Sequence, residues 1–177
     1  MAAKTASRVT RPPPRLRRAY YECRFGQLHV HNAIPAGGGF DELTALLCIH
    51  AGGMTGRVFH TVLAELGFDR SVYAPDMPGS GESDPAPGLP YADAALAGLQ
   101  DFLDTMRLRE VDVISLGDGG TLARRLAMAR AKQVRRVALL GEPPGTGGGK
   151  PAQPTLVLGI EDAQGPRRNA RLAEFFG

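Results

Sequence analysis

Residues 111–127 read VDVISLGDGGTLARRLA and contain the signals of a strand, a turn and a helix in that order. The run over 111–115 is nearly continuous in apolar residues, which is typical of a parallel strand covered on both faces. After Gly119 and Gly120, apolar residues repeat at helical spacing, namely Leu122, Ala123, Leu126 and Ala127. A strand that leads into a helix in this way is the repeating unit of a three-layer α/β protein.

The same alternation extends to both sides of this segment. Further strands are predicted at 46–50, 72–75, 136–140 and 155–160, with helical patterns in the intervals. The first of these helical patterns, over 58–66, has Thr55 available as an N-cap. Two more strands, Ala19–Phe25 and Gln27–Ile34, alternate in polarity and predict an antiparallel hairpin that turns at Gly26. With right-handed crossovers, this order predicts a mostly parallel sheet of about seven strands with flanking helices.

Length and charge indicate one domain with a basic tail. The chain has 177 residues, of which 43% are hydrophobic, and this suffices for a core without disulfides or a structural metal. The formal net charge is +3, but residues 1–18 hold six basic residues and no acid, so residues 19–177 carry −3. Prolines at 12–14 oppose a helix in the basic segment. We therefore expect a disordered tail over 1–18, a single domain over 19–177 and no nucleic-acid partner.

Hydropathy and cysteine usage predict the compartment. The longest apolar run, 45–49, is far shorter than the roughly 18 residues that a membrane span needs, and no signal-peptide pattern is present near the N-terminus. Cys23 and Cys48 lie in apolar or strand-like contexts, which suits buried thiols in a reducing compartment. These features predict a soluble, cytoplasmic protein with no membrane partner.

Polar and glycine-rich segments follow four of the predicted strands. Ligand sites in open α/β sheets form at the carboxyl ends of strands, so these segments are the candidate site. They are HAGG at 50–53, DMPGSGESD at 76–84, SLGDGG at 115–120 and GIED at 159–162. The run GTGGGK at 145–150 lacks the first glycine and the final Ser or Thr of a phosphate loop, and no cofactor is expected.

These segments resemble the α/β-hydrolase family. LLCIHAGGMTGRVF at 46–59 is similar to the family's third strand and oxyanion loop, and VYAPDMPGSGESD at 72–84 is similar to its fourth strand and Asp-x-Pro-Gly-x-Gly-x-Ser loop. Residues 111–127 resemble the nucleophile elbow, and PTLVLGIEDAQGP at 154–166 resembles the strand that ends at the triad acid. The resemblance covers about residues 19–176 and implies an α/β-hydrolase-like fold and hydrolase activity on ester-like or small acyl substrates.

The elbow departs from the family's pattern at its central position. In the pattern small-x-nucleophile-x-Gly-Gly, Gly119 and Gly120 set the register and Ser115 fills the small position, so the nucleophile position is Gly117. Glycine has no side chain that can attack a carbonyl, and no covalent intermediate is expected there. Glycine also adopts the strained elbow backbone without a Cβ penalty.

Two other residues are alternative nucleophiles. Ser115 with Gly117 forms half of an elbow, although Val113 then stands where the turn needs a small residue. Asp118 offers a carboxylate, as the elbow Asp does in the dehalogenase branch, although it lies one residue late. If Asp118 is not a nucleophile, its carboxylate is expected at the start of the helix, where the helix dipole favours a negative charge. The backbone N–H of Asp118 then keeps the oxyanion-hole position.

The acid and the base of the triad complete the comparison. The resemblance assigns the acid to Asp162, and Glu142 ends a strand where some branches of the family place an acid. The family's base follows an eighth strand, and this sequence has no histidine after His60. The triad is therefore expected to be incomplete, with the eighth strand and the cap domain absent and a Gly/Pro linker over 142–153 in place of the cap.

The four histidines all lie in the first third of the chain. The resemblance places His50 with Gly52 in the oxyanion loop, and a role as base is the alternative for His50. His29 and His31 share one face of an early strand, but no cysteine or carboxylate accompanies them in a metal-binding pattern. A half-exposed strand and no metal site are therefore predicted, and His60 is predicted at the surface of a helix.

Together these observations predict a pseudoenzyme, a protein of hydrolase lineage with a degenerate nucleophile elbow. It is expected to bind a small-molecule ligand of the acyl or ester class through the N–H groups of Gly52 and Asp118, and to lack efficient triad catalysis. One alternative is a weak hydrolase that uses Ser115 or Asp118. Another is a non-catalytic binding or scaffold module that pairs along its exposed sheet edge, for example as a homodimer.

Overall fold

The computed structural model describes residues 12–37, 43–143, 147, 149–159 and 166–177. Within them, seven strands form one sheet, and four α-helices and a short 3₁₀ helix flank it. The strands are β1 (Arg15–Cys23), β2 (Gly26–Ile34), β3 (Ala45–Ile49), β4 (Val72–Pro75), β5 (Val111–Leu116), β6 (Val134–Leu140) and β7 (Thr155–Leu158). The helices are the 3₁₀ helix (Gly56–Phe59), α1 (His60–Leu66), α2 (Tyr91–Thr105), α3 (Gly119–Ala129) and α4 (Pro166–Phe176).

The sheet has the strand order β1-β2-β4-β3-β5-β6-β7. β2 pairs antiparallel with both β1 and β4, and the pairs β3–β4, β3–β5, β5–β6 and β6–β7 are parallel. The carboxyl ends of β3, β4 and β5 therefore meet at one edge of the sheet, where the loops after them come together. The predicted mostly parallel α/β sheet is confirmed.

The predicted antiparallel hairpin is present as β1 and β2, but its strands begin and end at other residues than predicted. Cys23 pairs with Gly26, so the turn lies at residues 24–25, and Gly26 is the first residue of β2 with a φ of 118°. β1 begins at Arg15, because residues 15–18 pair in register with 31–34 of β2. The strand thus starts inside the segment 1–18 that the sequence assigned to a tail, since backbone pairing does not require apolar side chains.

Two hydrophobic clusters cover the two faces of the sheet. Helices α2 and α3 contribute Leu99, Phe102, Leu122 and Leu126 to one cluster. Helices α1 and α4 contribute Val62, Leu63, Leu172 and Phe176 to the other. In β3, Leu47 and Ile49 face the first cluster while Leu46 and Cys48 face the second, because successive strand residues point to opposite faces. Burial on both faces explains why the central strands read as continuous apolar runs.

The helix after β3 begins differently from the prediction. Thr55 precedes the 3₁₀ helix in extended conformation, but its side chain makes no capping hydrogen bond. The first turn is a 3₁₀ helix, and α1 follows from His60. The expected N-cap role of Thr55 is therefore wrong, and the backbone N–H of Gly56 donates instead to the Asp76 carboxylate, 2.7 Å away.

Cys48 is buried and Cys23 is partly exposed, and both are free thiols. Burial raises the pKa of the Cys48 thiol far above its usual range. Among the described helices, none combines the length and the apolar character needed to cross a bilayer.

Candidate functional site

The turn between β5 and α3 consists of Gly117, at the predicted nucleophile position, and Asp118. Gly117 lies in this turn with a φ of 57°, and its N–H donates to the carbonyl of Leu140, 2.8 Å away. This φ belongs to the left-handed region, which costs other residues energy because of their Cβ. A Cβ at position 117 would lie 3.3 Å from the Ala51 methyl group, so a small side chain needs only a slight shift of Ala51.

Ser115 lies inside β5 and not in the turn. It pairs with Ile49 of β3 and Leu139 of β6, and the residue is fully buried. Its hydroxyl donates a long hydrogen bond to the carbonyl of Ala138, with an oxygen–oxygen distance of 3.5 Å. The hydroxyl is thus enclosed between neighbouring strands, away from the surface at which a substrate would arrive.

Asp118 lies at the start of α3 with its side chain directed across to the loop after β3. Its Oδ1 accepts a hydrogen bond from the backbone N–H of Gly52 at 2.9 Å, and its side chain makes no capping bond to the helix itself. The N–H of Gly52 is the donor that the sequence assigned to a ligand oxygen. In this structure a carboxylate oxygen of the chain occupies that donor.

His50 connects two loops and has both ring nitrogens engaged. The N–H of Met77 donates to Nε2 at 3.0 Å, so Nε2 carries no proton. Nδ1 then carries the proton and donates to the carbonyl of Ala51 at 2.8 Å. Burial lowers the pKa of His50, and a neutral imidazole in this arrangement has no free nitrogen with which to act as a base.

A cavity of about 230 Å³ opens beside these loops. Its lining includes His50, Gly52, Tyr91, Asp118 and Arg125. The guanidinium of Arg125 is held by Asp93, with a nitrogen–oxygen distance of 2.6 Å. Burial raises the pKa of the Tyr91 hydroxyl, which keeps it neutral and able to donate a hydrogen bond. The cavity thus combines one carboxylate, one neutralised arginine and one phenol.

Of the two predicted triad acids, only Glu142 lies within the described residues. Asp162 lies outside the described residues. Glu142 follows β6 and forms two hydrogen bonds with the guanidinium of Arg124 in α3, at 3.1 and 2.5 Å. The side chain of Glu142 is 8% exposed. A nearly buried carboxylate in such a pair ties α3 to the end of β6.

The structure corrects the prediction for the early histidines. His29 and His31 are buried, at 2% and 7% exposure, because β2 is an inner strand of the sheet. They have a carboxylate partner in Asp76, the first residue of the glycine-rich loop after β4. His29 Nδ1 lies 2.8 Å from Asp76 Oδ2. His60 is exposed, as predicted, and its Nε2 lies 3.3 Å from Nδ1 of His31.

The grouping of these residues had one weak signal in the sequence. The alternation of His29 and His31 places both side chains on one face, but it does not reveal which strand lies beside them. The antiparallel pairing of β2 with β4 supplies the carboxylate, since the N–H of Asp76 donates to the carbonyl of His29 at 2.9 Å.

Known proteins share this fold. The model of the Alpha/beta hydrolase family matches residues 46–177. The 2-hydroxy-6-oxo-2,4-heptadienoate hydrolase of Pseudomonas putida is 36% identical over 84 residues, which are 47% of this chain and 30% of that protein. The 2-hydroxymuconate semialdehyde hydrolase of Pseudomonas sp. strain CF600 is 32% identical over 114 residues, which are 62% of this chain and 39% of that protein.

Solved structures give the same result for the fold. The naproxen esterase of Bacillus subtilis superposes with a TM-score of 0.64 at 22% identity, over 73% of this chain and 44% of the esterase. This chain therefore spans less than half the length of each of the three similar proteins.

Proposed function

This chain belongs to the α/β-hydrolase family, and from that premise we propose that it binds a small carbonyl-bearing ligand of the ester or acyl class without efficient triad catalysis. The observation that carries the proposal is the elbow, where Gly117 holds the nucleophile's backbone conformation with no nucleophilic atom. An acyl intermediate at that position requires an oxygen or a sulfur, and glycine provides neither.

The contact between Asp118 and Gly52 supports the same proposal. Catalysis by an oxyanion hole depends on N–H donors aimed at the place where negative charge develops. Here a carboxylate oxygen lies 2.9 Å from the Gly52 nitrogen. A developing oxyanion would have to displace that carboxylate and would be repelled by its charge, so the arrangement disfavours the transition state of acyl transfer.

A neutral carbonyl is a better ligand for this cavity than an anion. Tyr91 lines the cavity with a hydroxyl whose pKa is raised by burial, so it can donate a hydrogen bond to a carbonyl oxygen. The two curated relatives are named for a 6-oxo acid and a semialdehyde, each of which has a neutral keto or aldehyde group in addition to a carboxylate. A cavity of about 230 Å³ is smaller than most ligand sites, which span about 300–1,000 Å³, and this limits the ligand to a small molecule.

An activity-based probe tests the absence of triad catalysis. The full chain, Gly117→Ser and Ser115→Ala would be treated with a fluorophosphonate and assayed against a panel of short-chain esters. We expect no serine labelling and no turnover above buffer for the unchanged chain. Labelling of the unchanged chain at a serine, with loss of labelling in Ser115→Ala, would contradict the proposal.

Binding is tested separately by isothermal titration with neutral ketones and esters. Tyr91→Phe removes the hydroxyl but keeps the ring, and we expect it to weaken binding by about fivefold, the value of one hydrogen bond. Tyr21→Phe is the matched control, because Tyr21 lies in β1 and packs against Phe102, away from the cavity. Equal affinities for Tyr91→Phe and the unchanged chain would remove Tyr91 from the ligand site.

A weak hydrolase that uses Asp118 is the second candidate, because this side chain is exposed and lines the cavity. Ser115 is less suited to that role, since its hydroxyl is buried between strands. Haloalkane or ester turnover that disappears in Asp118→Asn, a nearly isosteric change, would favour this candidate over the first. Turnover that survives in Asp118→Asn would exclude it.

A third candidate is a module that pairs along β7. This strand ends the order of the described sheet, and Val157 on it is 57% exposed. An edge strand presents backbone groups that a second strand can pair with. Light scattering that gives a monomer at all accessible concentrations would exclude self-pairing, whereas a dimer that dissociates in Val157→Lys would support it.

A further inference from the structure

A buried cluster outside the elbow cavity combines two imidazoles and a carboxylate. β2 and β4 are antiparallel neighbours, and His31 lies opposite Ala74 in their register. His29 and Asp76 each lie two residues from that pair in opposite chain directions, so their side chains share its face of the sheet. One imidazole nitrogen from each histidine and one carboxylate oxygen of Asp76 lie within 4.8 Å of one another.

We propose that His29, His31 and Asp76 form a binding site for a divalent transition-metal ion such as Zn²⁺. Two nitrogens and one carboxylate oxygen are a donor set that zinc accepts, and three protein ligands leave a fourth position for water. This site is independent of the elbow and of the function proposed for it.

The distances between the donor atoms can be compared with those in a tetrahedral zinc site. Zinc–nitrogen bonds of about 2.0–2.1 Å in a tetrahedron place neighbouring donor atoms about 3.3 Å apart. Nδ1 of His29 lies 2.8 Å from Oδ2 of Asp76, and Nε2 of His31 lies 3.8 Å from Oδ1. These two distances end on different oxygens of Asp76, and one donor atom from each residue lies within 4.8 Å of the others, so side-chain rotations are needed to bring the three donors to one ion.

The cluster is buried and contains one ring nitrogen without a hydrogen-bond partner. His29, His31 and Asp76 are 2%, 7% and 1% exposed. Nε2 of His29 is buried and has no hydrogen-bond partner in the described part of the chain, which is costly in a protein interior. Coordination at Nδ1 of His29 would move the ring proton to Nε2. This N–H would then donate a hydrogen bond to a water molecule.

Neighbouring groups orient the donors, and one of them lies at the protein surface. Ligating histidines usually donate their second N–H to an outer partner. If Nε2 of His31 binds the ion, its Nδ1–H is placed to donate to Nε2 of exposed His60, 3.3 Å away. His60 also lines a surface cavity of about 220 Å³ with Leu16, Arg17 and Arg18. The carboxylate of Glu82 lies 3.7 Å from the guanidinium of Arg18 and offsets its charge.

Titration of the metal-free full chain, with any affinity tag removed, tests the proposal. Co²⁺ serves as the spectroscopic probe, because tetrahedral Co²⁺ absorbs visible light far more strongly than the hydrated ion, and Zn²⁺ serves in calorimetry. We expect one equivalent of each metal to bind, Zn²⁺ to displace Co²⁺, and the thermal midpoint to rise with metal concentration.

Ligand variants give the decisive comparison. His31→Gln and Asp76→Asn should each weaken Co²⁺ binding more than tenfold, and His60→Ala, which acts through His31, by about tenfold. Cys23→Ser, at the partly exposed end of β1, is the control that should leave the spectrum unchanged. Circular dichroism without metal identifies any variant that fails to fold, and His29→Gln then replaces it. Absence of binding by the unchanged chain, or binding that is equal in the ligand variants, would overturn the proposal.

Discussion

The carboxylate of Asp118 accepts a hydrogen bond from the backbone N–H of Gly52, 66 residues earlier in the chain, at 2.9 Å. This bond joins the turn before α3 to the loop after β3. The family resemblance implies that the Gly52 N–H donates to a substrate oxyanion, and here the Asp118 carboxylate accepts from that N–H instead. The two residues therefore hold the two loops together, and under the proposed function the same bond disfavours an oxyanion in the cavity.

Removal of this carboxylate should exchange stability for anion binding. Asp118→Ala frees the Gly52 N–H, so a boronate or phosphonate that carries a tetrahedral anion should bind about fivefold more tightly, the value of one hydrogen bond. The free energy of unfolding should fall by about 1 kcal/mol. Glu174→Ala, an exposed acid on α4 at the opposite face of the sheet, is the control. Equal anion affinity in Asp118→Ala and the control would show that the Gly52 donor is not accessible.

Gly117→Ala should destabilise the chain because of backbone conformation and not because of crowding. Its φ of 57° costs an L-residue about 1–2 kcal/mol, and the nearest atom to the new Cβ is the Ala51 methyl at 3.3 Å. Gly53→Ala is the matched control, with a φ of 73° and no heavy atom within 4 Å of its Cβ. Urea denaturation should give similar losses for both variants.

Gly119→Ala should cost considerably more than either of these two variants. Its Cβ would lie 2.7 Å from the carbonyl oxygen of His50 and 2.9 Å from that of Ile49, so β3 and α3 would have to separate. A loss in Gly119→Ala no larger than that in Gly53→Ala would show that the contact between α3 and β3 relaxes freely.

Stability should fall with pH below neutrality because of His50. Burial lowers the pKa of this imidazole in the folded chain, although Asp76 and Asp118 attract its proton. The unfolded chain therefore takes up a proton first, below about pH 6.5, and the free energy of unfolding decreases by up to about 1.4 kcal/mol per pH unit from this residue. In metal-free buffer, the slope between pH 6.5 and 5 should be smaller in His50→Gln. An unchanged slope would assign the effect to other groups.

Two arginine–carboxylate pairs, one made by Arg124 within α3 and one by Arg130 directly after it, should differ in their contribution to stability. Arg124→Met leaves the carboxylate of Glu142, 8% exposed, without its partner and should cost about 3 kcal/mol. Arg130→Met breaks a pair with Asp104, which is 57% exposed, and should cost at most about 1 kcal/mol. Chemical denaturation of both variants measures the difference, and equal losses would mean that water reaches Glu142.

Much of the fold could be predicted because its signals are local. β4 matches the predicted range 72–75, and the other predicted strands overlap the observed ones, since burial on one or two faces leaves a periodic pattern within each strand. The positions at which strands and helices begin were predicted less accurately. β1 begins at Arg15 in a basic segment, and Thr55 makes no capping bond, because pairing with β2 and the Asp76 carboxylate decide these positions from a distance.

The candidate site shows the same division. The amino-acid order by itself predicted a glycine at the nucleophile position and two histidines on one face of a strand, because both inferences depend on neighbours within a few residues. The pairing of Asp118 with Gly52 and of His29 with Asp76, 47 residues apart, depends on which strands lie side by side and on where their loops end. Such contacts are selected by the packing of the whole sheet, and the tertiary structure alone decided them.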